Sequence, residues 1–308
     1  MRLVITEPGK IIEAASIVSL TDETVEVDVT FTDPLKTSFG AWSNRPEVLG
    51  DWWIDAQSLE ADIGRQLDLY RTYHQVGNLP TSAREREVFG TLAHRGIINW
   101  KPSNSWPDAS GSSPTINTQI ATVGTNLRDL DNPIDLAVYH EPKDNMNATN
   151  TVDAYHAMWA NVANIFSSVG ADNVRLVYVA TGFEGNHDIE EQLFPPQAQV
   201  AAYDPYVGNA TLDPFAHFDA SYGWWADDAR PWGGLPIGWA EWGIGLNPYT
   251  PTPERQALAF LDLADAFDAG AWPKLDFISY FDSNYAKVQP GAIPAFATLA
   301  NLPRFTNS

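Results

Sequence analysis

Eight short apolar runs recur along residues 37–300 at intervals of roughly 30–35 residues. They are SFGAW (38–42), LYRTYH (69–74), IINW (97–100), LAVYHE (136–141), VRLVYVA (174–180), VAAYDPY (200–206), PIGWAE (236–241) and DFISYF (276–281). Strands this far apart are joined by crossovers rather than hairpins, and a crossover through a helix leaves its two strands parallel. Several spacers carry the helical period. In NTVDAYHAMWANVANIFSSVG, Tyr155, Met158, Trp159, Val162, Ile165 and Phe166 fall on one face, with Gly170 to close the helix. TPERQALAFLDLADAFDAG has Thr252 as cap, Pro253 in the first turn and Gly270 as stop, with Ala257, Phe260, Leu261, Ala264 and Phe267 expected inside. TSAREREVFGTLAHRG is a weaker helix, and the spacer after the sixth run has no clear pattern.

Eight βα units point to a closed (β/α)8 TIM barrel, an α/β fold, over residues 37–308. An open doubly wound sheet is the alternative, but it normally carries a glycine-rich phosphate loop after its first strand. Here the first run leads into SNRPEVLGDWW, which has none. Residues 1–36 read differently. TVEVDVTFT alternates β-branched and acidic residues, as a strand with one wet face does. We expect a short N-terminal β extension ending near Pro34, either an edge strand of the main domain or an attachment segment.

Composition narrows the function. The 308 residues include no cysteine, which removes disulfides, zinc–thiolate sites and thiol catalysis. A net charge of −21 repels nucleic acid and anionic lipid and suits a neutral partner. No apolar run has the length of a membrane span, and MRLVITEPGK lacks the basic-then-apolar order of a Sec signal peptide. A monomer is expected, extracellular or particle-associated by another route.

The chemistry collects in two places. YHEPKDN puts Glu141 at the end of the fourth run, and PIGWAEWGIG puts Glu241 at the end of the seventh. In a barrel both would reach the C-terminal mouth, where active sites of this fold lie. Two carboxyl groups facing one bond are what glycoside hydrolysis needs: one protonated to serve the leaving oxygen, the other ionised to attack or to activate water.

At this point the sequence resembles glycoside hydrolase family 26, the β-mannanases and related endo-β-glycanases of the large retaining (β/α)8 clan. The likeness rests on His140-Glu141, on AYHAMWANVANIFSSVGADNVRLVYV, on LFPPQAQVAAYDPY with Asp204 and Tyr206, and on LPIGWAEWG. It covers roughly residues 37–300. It implies Glu141 as acid/base, Glu241 as nucleophile, Tyr206 as a hydrogen-bond donor to Glu241, and no cofactor or metal. His140, Arg71 and His74 are expected to line the mouth, with Asp204 behind them. The chain departs from the family after Glu141, where PKDNMNATN replaces a Gly- and Trp-rich stretch. It departs again at NWKP and at Tyr280-Phe281. A polar loop there points to a decorated or mixed β-glycan as substrate rather than plain linear mannan.

Twelve tryptophans fit a sugar-binding surface, because indole rings stack on the apolar faces of sugars. Trp42, Trp100 and Trp242, at run ends, are the candidate platforms. Trp52, Trp53, Trp106, Trp224, Trp225 and Trp232 are expected in loops, and Trp159 and Trp272 in the core. EGNHDIEE (184–191) reads as a solvated acidic loop, and Asn147 and Asn209 lie in glycosylation sequons. Two other classes stay open: a carbohydrate-binding barrel without turnover, which needs neither glutamate, and metal-assisted chemistry, which would need more His and Asp at strand ends.

Overall fold

The computed structural model describes residues 11–20, 25–32, 36–43, 51–207, 213–245, 252–283 and 286–305. In chain order the strands are β1 (Ile11–Leu20), β2 (Val25–Thr32), β3 (Ser38–Ser43), β4 (Leu69–His74), β5 (Arg95–Trp100), β6 (Ile134–Val138), β7 (Val174–Ala180), β8 (Val200–Tyr203), β9 (Tyr206–Val207), β10 (Ile237–Ile244) and β11 (Leu275–Asp282). The helices are α1 (Trp52–Ile63), α2 (Ala83–Glu85, continuing as a π turn over Arg86–Thr91), α3 (Pro114–Arg128), α4 (Val152–Ser168), α5 (His187–Leu193), α6 (Pro214–Trp225), α7 (Pro253–Asp268) and α8 (Ile293–Ala300).

Strands β3, β4, β5, β6, β7, β8, β10 and β11 pair in parallel, and pairing of β11 with both β10 and β3 closes the ring. All eight expected strands are present, so the fold is a (β/α)8 barrel. Its inside is a small apolar cluster that includes Leu69, Ile97, Ala137, Val179, Ala240 and Phe277. A larger cluster fills the layer between strands and helices. This division follows from the pleat, which sends alternate side chains to opposite faces.

The helices form where period and caps agree. Thr151 and Thr252 cap α4 and α7, and Gly170 takes a left-handed φ of 72° just past α4. Tyr155, Met158, Trp159, Val162 and Phe166 are buried as expected, whereas Ile165 is only half-buried. In α7 the inner face is rotated: Ala259 and Leu263 go in with Phe260, Ala264 and Phe267, and Leu261 is exposed. The spacer after β8 does form a helix, α6, capped by Asp213. Its residues PFAHFDASYGWW are apolar on several sides, so no single stripe stands out.

Among the described residues β1 and β2 pair with each other in an antiparallel two-stranded sheet and not with the barrel sheet, so neither is the edge strand of the main domain that was expected. The expected end of this segment at Pro34, and Asn209, lie outside the described residues. No described helix is long and apolar enough to cross a membrane.

Candidate active site

Arg71, Asn99, Asp204 and Glu241 meet at the C-terminal end of the barrel. Along β4, Leu69 points inside and Tyr70 outside, so Arg71 and Tyr73 point inside again. Arg71 is fully buried. Its Nη2 lies 3.2 Å from Glu241 Oε1 and 3.2 Å from Asn99 Oδ1, and its Nη1 donates to the carbonyl of Ala240.

Glu241 reaches the interior through a break in alternation. Trp239 of β10 pairs with Ile278 and Trp242 with Tyr280, so three steps on β10 oppose two on β11. This bulge lets Ala240 and Glu241 face inward in succession and sends Trp239 and Trp242 both outward. The Glu241 N–H donates to Asp204 Oδ1 (2.7 Å). Its carboxylate accepts from Tyr73 Oη at 2.5 Å on Oε1 and from Tyr206 Oη at 2.7 Å on Oε2. Burial would raise its pKa, but Arg71, His140 and the two phenols together hold it below the ordinary glutamate value. The phenols pay the complementary cost: burial first, then the glutamate charge, drive Tyr73 and Tyr206 well above the usual tyrosine range.

Glu141 sits in a different setting. The chain leaves β6 through Tyr139 and Glu141 in left-handed conformations, φ 62° and 49°. Such conformations cost non-glycine residues on the order of 1–3 kcal/mol each. The reversal at Tyr139 turns its ring outward against Trp106 (centroids 5.5 Å apart) and brings His140 inward. His140 Nε2 contacts Asp204 Oδ2 and lies 3.3 Å from Glu241 Oε1. The Glu141 N–H is tied to the carbonyl of Val179 at 3.0 Å. Burial, with Asp204 and Glu241 nearby, lifts the Glu141 carboxyl to about 7.

The other expected residues divide. Trp42 stacks on Phe281 (4.7 Å) and meets Tyr73 edge-on (5.3 Å). Both aromatics line a cavity of about 710 Å³ that also contains His140 and Glu241. His74 lines this cavity too, but its ring is directed to Glu85, away from the two catalytic candidates. Trp100 and Trp242 are not platforms: they are 2% and 0% exposed, so neither offers a face to a sugar. Trp242 packs on Phe218, Tyr280 and Phe260 in the helical layer, as the bulge dictates. Trp100 follows the inward Asn99 and so points outward. Of the tryptophans expected in loops, Trp52 and Trp53 open α1, Trp224 and Trp225 end α6, and Trp106 and Trp232 are buried. Glu190, expected in a solvated loop, is buried and accepts from Tyr178 and Thr181. Sequence reasoning missed Tyr73, although it stands two residues after Arg71 in a strand and therefore shares its face.

The ligand atoms of His140, Asp204 and Glu241 lie within 4.8 Å of one another, a spacing a metal ion could use. The Arg71 guanidinium already lies among these carboxylates, 3.2 Å from Glu241 and 4.0 Å from Asp204, so the arrangement is one built around an organic cation.

No protein-family model matches the chain, and no curated protein matches it by sequence. Solved structures do. The modular endo-β-1,4-mannanase of glycoside hydrolase family 26 from Cellulomonas fimi is 14% identical, with a TM-score of 0.62 over 87% of this chain and 71% of that one. The family 26 endo-β-1,4-mannanase catalytic domain from Bacillus sp. JAMB-750 is 13% identical, with a TM-score of 0.63 over 88% and 86%. The family 26 domain of an endo-β-mannanase/endo-β-glucanase from Prevotella bryantii is 14% identical, with a TM-score of 0.58 over 87% and 90%. At this identity the likeness is one of fold: the chain has the (β/α)8 barrel seen in glycoside hydrolase family 26 structures.

Proposed function

We propose that the protein is a retaining glycoside hydrolase that cleaves a β-linked polysaccharide within the chain by double displacement. The observation that carries this reading is the split between the two glutamates. Glu141 is held protonated up to about pH 7, and Glu241 is held ionised by a buried guanidinium and two phenols. A pair separated in this way is an acid and a nucleophile.

In the first step a Glu241 carboxylate oxygen bonds to the anomeric carbon. The bond from that carbon to the leaving oxygen breaks, and the Glu141 proton passes to the leaving oxygen. In the second step Glu141, now ionised, takes a proton from water. The water oxygen bonds to the anomeric carbon, and the ester bond to Glu241 breaks. Oε1 carries Tyr73, Arg71 and His140, whereas Oε2 carries Tyr206, which makes Oε2 the freer oxygen for attack. Two carboxyl groups acting in this way stand about 5–5.5 Å apart.

Relatives in fold are described as mannanases, one of them also as a glucanase. The loop after Glu141 carries Lys143, Asp144, Asn145 and Asn147 where aromatic bulk would exclude side groups. This favours a decorated or mixed β-glycan. Retention of both carboxyl groups, with opposite ionisation, speaks against a purely binding barrel.

Azide rescue on an activated aryl glycoside tests the roles. Glu141→Ala should give the azide adduct with retained configuration, and Glu241→Ala the adduct with inverted configuration. Rescue with the stereochemistry exchanged, or inversion by the unsubstituted enzyme, would sink the assignment.

A further inference from the structure

The segment NWKP, where the chain departs from the family it resembles, ends β5 beside the turn that carries Glu141. Along β5, Ile97 faces the barrel interior, Ile98 the helical layer, Asn99 the interior and Trp100 the helical layer, so alternation turns Lys101 back toward the mouth. Backbone pairing continues past the strand ends on both sides. The Lys101 N–H donates to the carbonyl of His74 (3.1 Å), and the Trp100 carbonyl accepts the N–H of Tyr139 (3.0 Å). The Lys101 ammonium lies over the Tyr139 ring, 5.1 Å from its centre. Tyr139, His140 and Glu141 form one turn, so this places the charge beside the acid/base candidate.

Lys101 is half-buried, and its Nζ keeps solvent access but has no hydrogen bond and no ion pair among the described residues. Burial lowers its pKa from an ordinary 10.5, but an amine that water still reaches remains an ammonium at neutral pH. The other cationic groups of the mouth are engaged. Arg71 lies 3.2 Å from Glu241, Lys143 pairs with Asp144 at 3.2 Å, and His140 contacts Asp204, its own pKa lowered by burial. Around Glu141, Asp204, Glu241 and Asp144 oppose ionisation and His140 favours it. Lys101 joins the favourable side, since the Glu141 charge supports the ammonium and the attraction is reciprocal. In the resting protein Glu141 holds its proton, so the ammonium faces a neutral group. The first step passes that proton to the leaving oxygen and leaves a carboxylate at Glu141, while the new ester bond removes the charge of Glu241.

We propose that Lys101 is a positioning residue that acts through Glu141: its ammonium waits unpaired and becomes the counter-charge of the carboxylate that proton transfer creates, which holds Glu141 ready as base for the second step. The catalytic consequence rests on the glycosidase reading, but the pairing of Lys101 with ionised Glu141 does not.

The carboxyl ¹³C resonance of Glu141, identified by its loss in Glu141→Gln, reports the titration without any substrate. In Lys101→Met its midpoint should rise by about half a unit to one unit, because the ionised form loses its cation. Lys101→Arg keeps the charge and should leave the midpoint in place. The basic limb of kcat/KM, which needs Glu141 protonated, should move up in Lys101→Met by the same amount. So should the acid limb of kcat on a dinitrophenyl glycoside, where the easy departure of the leaving group makes the second step limiting and Glu141 must be ionised. The proposal is overturned by a midpoint equal in Lys101→Met and the unsubstituted protein, by a rise that Lys101→Arg shows as well, or by rate limbs that stay while the midpoint moves. A midpoint that moves as expected in a protein that cleaves no glycoside at all would instead sink the glycosidase reading and leave the pairing standing.

Discussion

The ends of β6 and β10 each deliver a glutamate to the same mouth, and they treat it in opposite ways. At the end of β6 the chain turns through two left-handed residues and leaves Glu141 half-buried, with no side-chain hydrogen bond to its carboxyl among the described residues. At β10 a bulge inserts Glu241 between a guanidinium and two phenols. Burial acts in the same direction on both, towards a raised pKa. What separates them is the company: Arg71 stands against Glu241, whereas Asp204 and Glu241 itself act on Glu141. Ionisation is thus assigned by neighbours that the residue type does not specify.

The largest effect should come from removing each carboxyl in turn. Glu141→Ala should lower kcat/KM by about 10²- to 10⁴-fold on a polysaccharide. It should spare a dinitrophenyl glycoside, whose leaving group needs no proton. Glu241→Ala should abolish turnover of both substrates. Equal losses for the two variants on both substrates would erase the distinction between the strand ends.

The next test removes what makes the β10 end different. Arg71→Met leaves a buried carboxylate without its cation, at a cost of about 3–5 kcal/mol of stability. It should also shift the acid limb of the pH–rate profile upward, because Glu241 no longer stays ionised as far down. Denaturant unfolding and the kcat/KM profile measure the two effects. An acid limb that stays in place would mean that Arg71 does not set the charge of Glu241.

A smaller change of the same sign is expected from Tyr73→Phe. One hydrogen bond to a charged group is worth about 1.5–3 kcal/mol, and its loss should move the acid limb up while Tyr206 still holds Oε2. If the limb moves only with Tyr206→Phe, the bond from Tyr73 does not contribute.

The mildest test concerns stability at the β6 end. Folded Glu141 binds its proton more tightly than the unfolded chain does, about 7 against an ordinary 4.5. The native state therefore loses stability as pH rises from 4.5 through about 7. Glu141→Gln removes that loss, so its melting temperature should gain on the unsubstituted protein between pH 5 and pH 8. A constant difference across that range would show that the Glu141 pKa is not raised.

The barrel was legible in the sequence because local physics dictates it. Apolar runs too short for helices, spaced for crossovers and followed by capped amphipathic segments such as α4 and α7, leave few arrangements other than parallel βα units. The two glutamates were legible for a related reason, since a carboxylate at the end of a buried strand is costly without a purpose. Their partners were only partly so. Arg71, Asp204, Tyr206 and His140 were named, and Tyr73 was within reach by counting two residues from Arg71.

The set of strands, the helices that join them and the carboxylates at two of their ends can be read from the residues alone. Which way each end faces was decided by the tertiary structure. Simple alternation from the outward Trp239 would turn Glu241 out and Trp242 in, and alternation from the inward Ala137 would turn Tyr139 in and His140 out. The bulge against β11 and the left-handed Tyr139 reverse both, sending Trp242 and Tyr139 into the helical layer and bringing Glu241 and His140 to the mouth. The bulge is a mismatch of register against β11, and at the β6 end the N–H groups of Tyr139 and Glu141 are tied to the carbonyls of Trp100 and Val179, so both reversals involve a neighbouring strand rather than the residues alone.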